Sequence, residues 1–191
     1  MQRPDEAKRL AILDTAARLF ATRPFHEVRL EDVAQAAHIG KGTVYLYFKS
    51  KDELFASLVL DGYARLVEQL RVMSETETDD SALRRLEIVV RELVTFAKTY
   101  PYFYSVMRDS PHAQATQDLC RARESVGQLA GKIIRDGVTR GELDDPRPEV
   151  TGQFIPACVR SAIVFGPGTL SADSIVEHVM RVIGQGVVRK A

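Results

Sequence analysis

Apolar positions recur with helical spacing along nearly the whole chain. Ile12, Ala16, Leu19 and Phe20 make one stripe of a helix over residues 5–22, which Pro24 closes. Leu30, Val33, Ala34 and Ala37 fall at i, i+3, i+4 and i+7 on a short second helix. Ile39-Gly40 interrupts it, and Gly40 is expected to supply the backbone freedom of a tight turn. A third helix, from about residue 41 to 48, keeps Val44 and Phe48 inward. It turns Gly42, Thr43, Tyr45 and Leu46 outward, with Tyr47 at the flank. Ser50 stands where an N-cap belongs, and Glu53 completes a capping box for a fourth helix. That helix keeps Phe55, Leu58, Val59, Gly62, Leu66, Leu70 and Met73 in register to about residue 74.

A polar loop over residues 75–80 follows, and then the helical pattern resumes. Residues 81–99 place Leu83, Leu86, Val90, Leu93, Val94 and Ala97 inward, and Tyr100-Pro101 ends the run. A short helix opens on Tyr102-Phe103-Tyr104, extends to Met107 and is broken by Pro111. A long one over residues 113–139 is threaded by Leu119, Val126, Leu129, Ile133 and Ile134 and stops at Gly141. Residues 149–165 form an apolar helix in which Pro156 is expected to introduce a kink. Ser171 caps the last helix, which runs to about residue 188 and is apolar over a wide arc. No strand pattern competes. The expected fold is all-α, in about nine helices, with an N-terminal domain over residues 1–52 and a second over residues 53–191.

Two short helices at a sharp turn, the second showing small, hydroxylated and aromatic residues outward, make a helix-turn-helix. In that motif the second helix lies in the major groove of DNA. The run Gly40-Lys-Gly-Thr-Val-Tyr-Leu-Tyr-Phe-Lys-Ser-Lys-Asp-Glu-Leu-Phe55 resembles the recognition-helix signature of the tetracycline-repressor (TetR) family of bacterial transcription regulators. Residues Ile12 to Phe20 are similar to that family's first helix. The resemblance implies DNA contacts from Lys41, Gly42, Thr43, Tyr45, Leu46, Tyr47 and Lys51. Their chemistry suits the role. Thr43 can bond a phosphate or base edge, Leu46 can touch a thymine methyl, and the Tyr45 and Tyr47 hydroxyls can reach phosphates. Gly42 allows close backbone approach, Lys41 can meet a guanine or a phosphate, and Lys51 opens a helix whose dipole favours phosphate. The chain departs from the family pattern at Pro24 and His38, where glycine is usual, and at Arg29, where Ser or Thr commonly caps the second helix. Arg29 reads equally as a phosphate contact or as a solvated side chain. His38 is expected to pack at the turn.

The resemblance also implies a second domain that holds an apolar effector pocket and couples its occupancy to the spacing of two recognition helices. Tyr63, Phe96, Tyr100, Phe103, Met107, Cys120 and Phe154 are the candidates to line it. No cluster of charges in that half suggests a multiply charged effector, so a small, largely apolar one is expected. A homodimer is expected from the surplus of apolar surface on the last two helices, more than one core-facing stripe requires. Phe154, Val159, Ile163, Ile175, Val179 and Ile183 are the expected interface, with Gly184 and Gly186 allowing close approach. Such a dimer implies an inverted-repeat operator in double-stranded DNA.

Composition narrows the classes. The chain has 191 residues, 45% of them hydrophobic, which suits a sizeable core and argues against disorder. Basic and acidic residues both number 26, and residues 1–60 hold nine basic and eight acidic side chains, so no bulk basic excess marks the motif. Placement carries the argument instead. Arg29, Lys41, Lys49 and Lys51 bracket the two motif helices, while Glu31, Asp32, Asp52 and Glu53 sit at helix starts, where the dipole favours them. The N-terminal residues lack the apolar segment of a signal peptide, and no apolar run approaches the roughly 18 residues of a membrane span, so a cytoplasmic protein without membrane contact is expected. Cys120 and Cys158 have no metal-binding spacing and read as buried thiols. The four histidines share no helical spacing, and no nucleophile elbow or phosphate-cradling glycine loop occurs; neither an enzyme nor a cofactor is expected. The expected function is a ligand-responsive repressor. The rival is a helical interaction module that retains the motif without operator binding.

Overall fold

A computed structural model describes residues 5–76, 81–100 and 113–187. Among them are eight α-helices, one short 3-10 turn at Phe25–Glu27 and no strand, so the fold is all-α as the periodicity predicts. The helices are α1 (Glu6–Thr22), α2 (Leu30–Ala36), α3 (Lys41–Tyr47), α4 (Lys51–Thr76), α5 (Ala82–Thr99), α6 (Ala113–Thr139), α7 (Pro148–Phe165) and α8 (Ala172–Val187). The short helix expected from Tyr102 to Met107 lies outside the described residues. Residues Met1–Gly62 with Tyr100–Asp118 form one compact unit, and Tyr63–Thr99 with Leu119–Ala191 form the other. The expected division at residue 52 coincides with the start of α4, whereas compactness divides the chain inside that helix.

The first unit is built by local rules. The Asp5 carboxylate caps α1 by accepting from the Ala7 amide at 3.0 Å. The helix ends where the Arg23 amide reaches Leu19 O at 2.9 Å, just before Pro24. Ile12, Leu13 and Ala16 of α1 meet Leu30, Val33 and Ala34 of α2, Val44 of α3, Phe48, and Leu54 and Leu58 of α4 in one buried cluster. Phe20, Phe25 and Phe55 add an aromatic triangle with centroid distances of 5.7, 5.0 and 5.0 Å. Ser50 Oγ accepts from the Glu53 amide at 3.1 Å, while the Glu53 carboxylate reaches back to the Lys49 amide at 2.6 Å. The capping box therefore forms with its return bond one residue earlier than the sequence pattern implies.

The turn between α2 and α3 corrects one expectation. Gly40 has φ −65° and serves as the extended N-cap of α3, so its conformational freedom is not what the turn uses. The left-handed residue is His38, at φ 54°. The His38 amide bonds Gln35 O at 3.1 Å and the Ile39 amide bonds Ala34 O at 3.0 Å, the paired bonds of a Schellman motif. Ile39 packs against the first unit's core, as the residue after the left-handed position commonly does. His38 itself is exposed rather than packed.

The second unit gathers Tyr63, Leu66 and Leu70 of α4 with the inner faces of α5, α6, α7 and α8. Its helix ends follow the same rules: Ser171 Oγ accepts from the Ser174 amide at 3.1 Å, and Gly141 closes α6 at φ 74°. Helices α6 and α7 approach closely through glycine. A Cβ added at Gly152 would collide with Gly127 O and Gly131 N and stand 2.7 Å from Gly131 Cα. Pro156 is buried within α7, which runs on to Phe165. No helix among the described residues is long and apolar enough to cross a membrane.

Candidate nucleic-acid interface

Seven residues make α3, and only Val44 on it is buried. Val44, together with Phe48 immediately after the helix, anchors it, which turns Lys41, Gly42, Tyr45 and Leu46 outward. Leu46 is 70% exposed, an apolar side chain held in water at the centre of that face. A Cβ at Gly42 would meet nothing within 4 Å, so this position is an open notch in the surface. Thr43 and Tyr47 are half-buried at the flanks. These candidates, from about two turns of sequence, therefore lie together on one short helix.

Their polar groups are engaged with neighbours in the same unit. The Lys41 ammonium is ion-paired with Glu31 in the first turn of α2. The Tyr45 hydroxyl lies 3.5 Å from the same Glu31 oxygen, and Lys41 Nζ stands 5.5 Å from the centre of the Tyr45 ring. The hydrogen bond from Lys41 holds the Glu31 carboxyl below the usual carboxylate range, and Glu31 in turn raises Lys41. The Tyr47 hydroxyl accepts from the Asp5 amide at 3.1 Å, leaving its own proton to donate. Lys49 donates to Tyr45 O at 3.1 Å.

Two candidates behave differently from the sequence expectation. Lys51 turns its ammonium inward, donating to Phe25 O at 2.8 Å and sitting 4.4 Å above the Phe25 ring. Arg29 offers no acceptor for capping, so the cap is reversed: the Asp32 carboxylate accepts from the Arg29 amide at 3.0 Å. Arg23 lies 3.2 Å from the same carboxylate, and the Arg29 side chain stands exposed. Glu31, Asp32 and Asp5 thus organise this surface. Sequence spacing marked the first two only as helix-start acids, because partners across a turn share no helical period.

Residues 12–58 match the family model for bacterial regulatory proteins of the tetR family. The HTH-type transcriptional regulator YhgD of Bacillus subtilis (strain 168) is 26% identical over 160 residues, covering 81% of each chain. Among solved structures, a TetR/AcrR-family transcriptional regulator from Thermobifida fusca superimposes with a TM-score of 0.76 at 20% identity, covering 94% of this chain and 98% of that one. Residues 12–58 therefore belong to the TetR family, and the curated relatives are helix-turn-helix transcription regulators rather than enzymes. The transcriptional regulator FadR of B. subtilis, solved in complex with stearoyl-CoA, shares the fold with a TM-score of 0.71 at 18% identity, covering 93% of this chain and 98% of that one.

Among the described residues, the expected effector-pocket residues lie in different surroundings. Tyr63 and Phe96 meet edge to face at 5.2 Å, but Tyr63 is buried in the second unit's core. Tyr100 packs against the first unit's core instead. Cys120 is exposed, which corrects its reading as a buried thiol, while Cys158 is half-buried and burial raises its pKa. Phe154 is 58% exposed and lines no interior. Phe103 and Met107 lie outside the described residues. A groove of about 640 Å³ does open between α5 and α8, lined by the apolar Leu83, Val176 and Met180 together with the charged Arg84, Glu87, Arg91, Asp173, Glu177 and Arg181.

The expected dimer residues need a sharper correction. Val159, Ile175, Val179 and Ile183 are at most 6% exposed in the single chain, and Ile163 packs against the same core. A side chain already buried within its own subunit has no surface left for a partner. The wheel pattern could not tell which of two apolar stripes turns inward. The outward stripe is Val150, Phe154 and Phe165 on α7 with Val182 on α8.

Proposed function

We propose that this chain is a TetR-family repressor that binds an inverted-repeat operator as a homodimer and releases it on binding a small, largely apolar effector. The carrying observation is the outward face of α3, where Lys41, Tyr45 and the 70%-exposed Leu46 surround the open notch at Gly42. An exposed leucine between aromatic hydroxyls gains little in water but complements a groove that offers thymine methyls and phosphates. Thr43 and Leu46 are assigned to base edges. Lys41 is assigned to a guanine edge or a phosphate, and Tyr45, Tyr47, Arg29 and the start of α4 at Lys51 to phosphate and positioning contacts.

Homodimerisation is supported by the outward apolar stripe on α7 and α8, since apolar surface gains only by being covered. An effector with an apolar part is supported by the stearoyl-CoA in the B. subtilis FadR complex, whose acyl chain is apolar although its CoA group is charged. The rival, an interaction module without an operator, has the same stripe but no use for the face of α3.

The test separates them. Wild-type protein should select a two-fold-symmetric sequence from random duplexes. Tyr47→Phe should then weaken selected and random DNA alike, whereas Thr43→Ala and Leu46→Ala should shift the preferred bases by about 1–3 kcal/mol each. Titrating the complex with a panel of long-chain acyl compounds should release DNA, and DNA should weaken the ligand by the same factor. Failure to enrich any sequence would favour the interaction module.

A further inference from the structure

We infer that Glu31 is a specificity-determining residue: it clasps Lys41 and Tyr45 and so keeps α3 from gripping DNA of the wrong sequence. The inference deepens the DNA-binding reading above and rests on it.

The clasp is a surface device. Glu31 belongs to the first turn of α2 and Lys41 to the first position of α3, so the pair closes over the turn from one motif helix to the other. The Lys41 and Glu31 side chains are 60% and 43% exposed, so the pair is not needed to fill the core. Tyr45 joins them one helical turn along the outward face, its hydroxyl 3.5 Å from the Glu31 carboxylate. Two of the outward-facing polar groups of α3 thus converge on a single acid that itself points toward the proposed DNA surface.

Charge explains what such an acid does. Sequence-independent affinity comes from lysines and arginines that reach phosphates and release condensed counterions. A lysine already paired with a carboxylate releases fewer, and the carboxylate repels the phosphates it approaches. Around it, the Lys51 ammonium is bound to Phe25 O, Lys49 to Tyr45 O, and Arg23 is paired with Asp32. Arg29 and Lys49 remain exposed and cationic, so Glu31 tempers the hold on random DNA rather than abolishing it, in keeping with the nearly balanced charges of residues 1–60. At a matching site Lys41 can exchange the carboxylate for the paired acceptors on a guanine edge. Phosphates occur everywhere along a duplex, whereas those acceptors occur only in the right register. Glu31 therefore sets a threshold that only a matched sequence clears, by penalising the alternatives rather than by improving the match.

Glu31→Gln tests this, because it keeps the size and an acceptor for Tyr45 while removing the charge. Binding of the full chain to a random-sequence duplex and to a duplex selected by wild-type protein is followed by anisotropy between about 50 and 200 mM salt. Glu31→Gln should tighten the random duplex by about threefold to tenfold at the low end and steepen the log–log salt dependence by about 0.9, the contribution of one added phosphate contact. The ratio of selected to random affinity should narrow by the same factor. Adding Lys41→Gln to Glu31→Gln should restore the wild-type slope. A Glu31→Gln variant with unchanged slope and unchanged random-duplex affinity overturns the inference, as does one that weakens both duplexes equally. If wild-type protein instead fails to enrich any duplex, the operator-binding reading fails, while the random-duplex arm still decides the role of Glu31.

Discussion

The outward face of α3 and the outward side of α7 and α8 are satisfied in opposite ways. On α3, Lys41 and Tyr45 converge on Glu31, the Tyr47 hydroxyl holds the Asp5 amide, and Lys49 returns to Tyr45 O. On α7 and α8, Val150, Phe154, Phe165 and Val182 stand 47%, 58%, 76% and 52% exposed. Polar groups tied to their own neighbours lose little when they exchange those neighbours for others of similar strength. Apolar groups have no exchange to make; they gain only by leaving water, about 25 cal/mol for each Å² covered. The first surface is suited to a contact that is made and released, and the second to one that persists. The proposed regulator, a dimer that binds DNA only while its effector is absent, would use that division of labour.

The contrast breaks first if the apolar stripe is given charge. Phe154→Glu combined with Val182→Glu leaves the core untouched, because both side chains already face water. Removing one well-packed anchor from an interface costs on the order of 2 kcal/mol, so the pair should weaken the dimer by roughly a thousandfold. Sedimentation should show folded monomers with unchanged helical content. Val179→Glu should behave otherwise: Val179 is 2% exposed, and a buried charge there should unfold the chain rather than dissociate it. If Phe154→Glu with Val182→Glu still sediments as wild type does, the persistent contact lies on another surface.

What the sequence disclosed and what it hid divide along the same line. Helix bounds and caps were legible because they depend on neighbours within a turn or two: Ser50, Ser171 and Gly141 sit where residue type alone puts them. The inward side of α5 was legible because its apolar residues fill one stripe, from Leu86 through Val90 to Ala97. On α8 apolar residues fill more than one stripe, so periodicity named Val179 and Ile183 for the partner when they belong to the core. The effector candidates were aromatic residues far apart in sequence, and nothing local constrains whether such residues meet; Tyr63 and Phe96 do, while Tyr100 joins another cluster. The pairing of Glu31 with Lys41 escaped for a related reason, since the turn between them has no period.

A smaller effect tests how α7 is held in place to present its stripe. Gly152 faces Gly127 and Gly131 of α6, and all the atoms a Cβ would strike there belong to backbone, which cannot swing aside. Gly152→Ala should therefore cost about 1–3 kcal/mol, the range for overpacked cores, read as a lower urea midpoint at an unchanged slope. By contrast, Gly42→Ala on α3 meets nothing within 4 Å and should leave the midpoint unchanged or slightly higher, since alanine is the better helix former. Equal midpoints for Gly152→Ala and wild type would mean that the two helices are not in glycine-mediated contact.

The smallest effect concerns the two turns that share one geometry. After α6, Gly141 takes the left-handed position at φ 74°, with Glu142 N bonded to Gly137 O at 2.9 Å and Gly141 N to Val138 O at 3.0 Å. After α2 the same pair of bonds forms around His38 at φ 54°. A residue with a Cβ is strained in that conformation by roughly 1–2 kcal/mol, less for histidine than for a branched side chain. Glycine relieves the strain but loses more entropy on folding, so His38→Gly should stabilise the chain by about 0.5–1 kcal/mol. Gly141→Ala has open space for its Cβ and only backbone strain to bear, so it should destabilise by a similar amount. Thermal melts should move a few degrees in opposite directions, about 2–4 °C per kcal/mol for a chain of this size. If both variants melt lower, the His38 side chain stabilises its turn in a way that the left-handed geometry alone does not explain, and the two turns are alike in bonds but not in what holds them.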